Sequence, residues 1–96
     1  MPVITILRFK TDPADAERLR AGHAALVAAT RAACPGLTEA RLGRTGDETW
    51  VGVWRWDSAE SLKAARQAIP GSAEAVAAFS LTRDAAGEDI EVLDEY

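Results

Sequence analysis

One histidine, three tryptophans and a set of arginines placed in apolar stretches are the side chains of this 96-residue chain with chemistry to offer. His23 is the only histidine. On a helix it lies at the centre of a face built by Ala16, Leu19, Leu26, Val27, Thr30 and Ala33/Cys34, spaced by three and four. Two roles fit that position. One is a half-buried imidazole bonded to a neighbouring backbone group or threonine. The other is a pocket-lining base or hydrogen-bond donor, because imidazole exchanges a proton near pH 7. His23 is therefore the candidate catalytic residue. A single histidine with no spaced partners makes no metal site, and none is expected.

Trp50, Trp54 and Trp56 share one face of a strand with Gly52, since side chains alternate along extended backbone. Such a stripe serves as core, as a dimer interface, or as a flat wall for an aromatic or polyketide-like ligand, with Gly52 leaving a hollow between the rings. Trp54 and Trp56 are candidate substrate-binding residues, and Arg55 between them is a third. Arg8, Arg41 and Arg55 each sit in an otherwise apolar strand. They can pair with Glu39, Glu91 or Glu95, or one can hold a phenolate or enolate anion. Cys34 lies at a helix end beside Pro35, where the negative end of the helix dipole disfavours a thiolate, so it reads as structural. Tyr96, the last residue, reads as a frayed end or a dimer contact. No paired-carboxylate, serine-triad or phosphate-loop pattern is present, and Gly43-Arg-Thr-Gly46 is a hairpin turn with no helix after it.

The elements that must position these groups follow from periodicity. Val3–Lys10 is β-branched and apolar, a strand. Asp12-Pro13 starts a helix that runs to about Cys34 and stops at Pro35-Gly36. Leu37–Thr45 and Trp50–Trp56 make a hairpin about Gly46-Asp47. Asp57 or Ser58 caps a second helix, Ala59 to about Ile69, with Glu60 in the place of a capping box and Arg66 burying its stem. A short third helix holds Val76 and Phe79, Arg83–Glu88 reads as a polar loop, and Asp89–Tyr96 as the last strand. The order βαββαβ predicts an α+β, ferredoxin-like domain over residues 1–96, with a four-stranded antiparallel sheet carrying its helices on one face.

Composition narrows the classes further. Of the 48 % hydrophobic residues, 20 are alanine, which leaves a thin core for a lone chain. Val3 and Leu7 face one side of the first strand and Ile4 and Ile6 the other, while Val51 and Val53 back the tryptophans. Helices cover only one of these faces. A homodimer joined sheet to sheet is the expected partner for the second. A net charge of -4 offers no basic face for nucleic acid, no apolar run reaches the roughly 20 residues of a membrane span, and Met-Pro-Val-Ile does not begin a signal peptide. A single cysteine allows no internal disulfide. The expected setting is cytoplasmic.

The βαββαβ order, the Pro35-Gly36-Leu37 junction, the run Val53-Trp54-Arg55-Trp56-Asp57 and the following Ala59-Glu60-Ser61-Leu62 resemble the antibiotic biosynthesis monooxygenase domain family, over Val3 to about Val92. The resemblance implies a dimeric α+β barrel that oxidises an anthrone-like or quinol-like aromatic with molecular oxygen and no cofactor. It also implies Trp56 as a pocket wall, at the place where members often carry a tryptophan before the second helix. Where many members have a glutamate two residues earlier, this chain has Trp54. The histidines many members carry in stretches matching Leu62–Ala65 and Ala75–Phe79 are missing, which argues against haem degradation, a reaction that needs an axial ligand. The rival is a non-catalytic ligand-binding or accessory barrel. A third option is an isomerase, cyclase or dehydratase on the same scaffold.

Overall fold

A computed structural model describes every residue from Met1 to Tyr96. The β-branched N-terminal run forms β1 (Val3–Lys10), which pairs antiparallel on one side with β3 (Thr49–Trp56) and on the other with β4 (Arg83–Glu91). Outside β3 lies β2 (Leu37–Arg44), so the sheet order is β2-β3-β1-β4. Between β1 and β2 runs α1 (Ala16–Ala33), and α2 (Ala59–Ala68) and α3 (Ala73–Phe79) connect β3 to β4. This is the ferredoxin-like βαββαβ arrangement, with one additional short helix.

Local chemistry explains most boundaries. Asp12 Oδ1 accepts from the Ala14 amide at 2.9 Å, and Pro13 opens a 3-10 turn, Pro13–Asp15, that leads into α1. Ser58, not Asp57, caps α2 by accepting from the Ser61 amide, so the capping box with Glu60 does not form. Asp57 instead accepts from the Ser61 hydroxyl. No helix is long and apolar enough to cross a membrane.

Alternation along the strands sends Val3, Phe9, Trp50 and Trp56 to the helix-covered face, where all four are buried. Three packed clusters result. Phe9, Leu19 and Trp50 form one; Val3, Cys34, Leu37, Trp56, Leu62 and Ala65 form the second. The third joins Leu26 of α1 to Ala75 and Ala78 of α3.

Two expectations need correction. The last strand is Arg83–Glu91, not Asp89–Tyr96, and the segment read as a polar loop is most of it. β4 is an edge strand whose residues are all exposed, so it joins through backbone bonds to β1 and carries no apolar alternation for a sequence reader to detect. Around Val76 and Phe79 a helix does form, but it packs through Ala75 and Ala78 and leaves Val76 and Phe79 exposed. The reason is close approach: the position of a Cβ on Gly22 of α1 lies 3.6 Å from the Ala78 backbone. Only small residues fit at that contact.

Candidate functional site

Between the inner face of the sheet and the helices, the three clusters leave a cavity of about 200 Å³. Its floor is Leu7 and Phe9 of β1 with Gly52, Trp54 and Trp56 of β3. From α1 come Leu19, His23, Leu26 and Thr30, whose spacing of four, three and four places them on one stripe of the helix. Leu62, Ala65, Arg66 and Ile69 close it from the α2 side, and Ala78 and Phe79 from α3. Nearly all of that wall is carbon. No three metal-ligating side chains converge in the chain.

His23 meets Trp54 inside this cavity. The Trp54 indole Nε1 donates to His23 Nε2 at 3.2 Å, with the rings edge to face, 5.6 Å apart and at 90°. Gly52 contributes the room. A Cβ there would lie 3.6 Å from Trp54 Nε1, so the indole edge leans over the bare backbone towards α1. Trp54 and Trp56 lie 6.2 Å apart with planes tilted by 32°, a broad aromatic surface. Burial holds the His23 pKa below its ordinary value, so the imidazole is neutral near pH 7.

The other polar groups of the lining are engaged or sealed. Arg66 NH1 and NH2 grip the two carboxylate oxygens of Asp89 at 2.6 Å each, and Thr5 also donates to Asp89. The hydrogen bond from Arg66 keeps the Asp89 carboxyl below its usual range and raises the Arg66 pKa. Thr82 donates to the Phe79 carbonyl. Thr30 Oγ1 and Trp56 Nε1 are fully buried without a protein partner. His23 Nδ1 is the lining atom left for a ligand.

Of the four residues singled out from sequence, the structure brings His23, Trp54 and Trp56 together on this cavity. Arg55 stands apart. Lying between two inward tryptophans, it points to the opposite face of the sheet, where it grips Glu95 at 2.8 and 2.9 Å and donates to Thr38 Oγ1. Glu95, held by that bond, ionises more readily than a free glutamate. Arg8 and Arg41 also lie on the outer face, paired with Glu88 and Glu39. Cys34 is a buried core residue and Tyr96 is fully exposed. Sequence reasoning missed the contact of Arg66 with Asp89. The spacing Leu62, Arg66, Ile69 does carry the signal that Arg66 flanks the apolar stripe of α2.

Among solved structures, Rv0793 from Mycobacterium tuberculosis is 29% identical over 99% of this chain and 98% of its own, with a TM-score of 0.69. SnoaB, a cofactor-independent oxygenase from Streptomyces nogalater, is 23% identical over 98% of this chain and 95% of its own, with a TM-score of 0.75. Likeness at that identity establishes the shared fold. A search of curated proteins returns no match. Residues 2–80, most of the chain, match the sequence model described as antibiotic biosynthesis monooxygenase. The chain belongs to the antibiotic biosynthesis monooxygenase family.

Proposed function

We propose that this protein is a cofactor-independent monooxygenase for a small aromatic substrate, working as a homodimer. The observation that carries the activity is the apolar cavity, walled by Trp54 and Trp56, in which His23 Nδ1 is the open polar atom. A cavity of about 150 Å³ is enough to hold a benzene ring. The volume here, about 200 Å³, suits a ring system of one or two rings better than three. The ring lies against the indoles, and its oxygen meets His23.

The chemistry follows from such a pocket. An aromatic with an acidic C–H or O–H becomes an electron-rich anion when its proton leaves. A hydrogen bond to the developing oxyanion in a dry cavity stabilises that form. The anion gives electrons directly to molecular oxygen. When a ring methylene becomes a carbonyl, CH2 + O2 yields C=O + H2O, the substrate supplying all four electrons, so no external reductant enters. The protein binds, orients and excludes water.

Support for the homodimer is the outer face of the sheet. Ile4, Ile6, Val51, Val53 and Ile90 lie there, between the ion pairs Arg8–Glu88 and Arg55–Glu95. All three helices are on the other side. A second copy presenting the same surface would cover it.

Oxygen uptake by chelator-treated protein tests the activity, with hydroquinone, a dihydroxynaphthalene and anthrone as one-, two- and three-ring substrates. Uptake above the spontaneous rate is expected with the smaller two. His23→Ala should lower it by about a hundredfold, the usual loss when one oxyanion donor is removed. Binding of these compounds with no uptake would assign the non-catalytic ligand-binding role instead.

A further inference from the structure

We propose that Trp54 is a positioning residue that fixes His23 in its Nδ1–H tautomer, so that the imidazole meets a ligand as a hydrogen-bond donor to an oxyanion or carbonyl oxygen and not as a proton acceptor. The ligand half of this proposal rests on the cavity being the substrate site. The tautomer half stands on geometry alone.

An indole nitrogen only donates. At 3.2 Å from Trp54 Nε1, His23 Nε2 must therefore be the acceptor, with its lone pair aimed at the indole N–H. In a neutral imidazole the single proton is then on Nδ1. Protonating the ring would set a second N–H against the indole N–H and bury a positive charge. Nothing nearby repays that cost. β1 faces the cavity with Leu7 and Phe9, α3 with Ala78 and Phe79, and the one charged lining residue is Arg66 of α2, itself cationic and held by Asp89. Trp54 and burial thus act in the same direction, against imidazolium.

A consequence for specificity follows. Facing an N–H, a neutral phenol has no acceptor for its own proton, whereas a phenolate or carbonyl oxygen accepts directly. The site selects the deprotonated ligand, and the ligand's proton goes to solvent because the basic nitrogen of His23 is already occupied.

Because the chain has one histidine, nitrogen-15 labelling of histidine yields a single pair of ring signals to assign. The native protein should show the Nδ1–H tautomer around neutral pH. Trp54→Phe, which keeps a ring and removes the donor, should shift the population towards the Nε2–H form and move the imidazole titration up towards its ordinary position. A native Nε2–H form, or no change in the variant, overturns the lock. The native measurement decides this even if the variant folds poorly. As a ligand probe we name 4-nitrophenol, whose phenol and phenolate differ in colour. Native protein should bind the phenolate and lower the probe's titration midpoint, and Trp54→Phe should still bind it but lose the shift. Binding as the neutral phenol overturns the donor role alone. Absence of binding overturns the substrate site, while the tautomer signals still decide the contact between Trp54 and His23.

Discussion

His23 ties the chemistry of the pocket to the stability of the fold. Its pKa in the folded chain is lowered by burial from the ordinary 6.5. Above 6.5 the imidazole is neutral in both states and pH has no effect through it. Between 6.5 and the lower folded value, the unfolded chain binds more protons, so stability falls as the solution is acidified through that window. His23→Gln keeps an acceptor for the Trp54 indole and removes the titrating group. Urea unfolding at about pH 7.5 and about pH 5.5 should show a smaller acid-side loss for the variant than for the native protein. An equal loss in both would place the acid sensitivity elsewhere. The Arg66–Asp89 pair responds in a separate, lower range. Asp89 is depressed by its bond from Arg66, so that contribution is present above the ordinary carboxylate pKa and is lost as pH falls through the folded value.

At the scale of elements, one junction holds the α1 end of β2 against the start of α2. Gly36 has no left-handed backbone angle to explain its glycine. Space explains it: a Cβ at this position would meet Ser61 Oγ and Cβ and Asp57 Oδ1. The Gly36 carbonyl also accepts from the Asp57 amide at 2.8 Å, so chain and cap are locked together. Gly36→Ala should force the cap of α2 away from the sheet and cost about 1–3 kcal/mol, the usual range for overpacking. A calorimetric melt should show it as a lowered Tm; an unchanged Tm would mean that the cap moves freely. Because α2 carries Leu62 and Ala65 into the cluster around Trp56, the variant should also loosen that end of the cavity.

For the whole molecule, the outer face of the sheet sets the assembly. Ile6 and Val53 are directly paired across β1 and β3, near the middle of that face. In the proposed homodimer they are covered by a second copy. Ile6→Asp puts a charge there without touching the inner face. Sedimentation velocity should give twice the 10.3 kDa chain mass for the native protein and a single chain for the variant. A native protein that sediments as a single chain at tens of micromolar would remove the interface (a K_d in the low micromolar range corresponds to about 8 kcal/mol).

By itself the sequence determined β1, the β2–β3 hairpin, α1 and α2, because strand alternation, helical periodicity and caps are short-range effects written in neighbouring residues. It also placed His23 on the inner stripe of α1, and Trp54 and Trp56 together on one face of β3. The rest was decided by tertiary structure. β4 became a strand only because β1 offered an open edge to pair with, and its own exposed residues carry no trace of that. Which of the apolar faces of β3 took the helices was likewise settled by packing: the tryptophans went inside and Arg55 outside. The contact of Trp54 with His23 joins residues 31 apart in the chain, and that of Arg66 with Asp89 joins residues 23 apart. No local pattern encodes either one. The chain must fold before a neutral imidazole and its indole partner share a cavity.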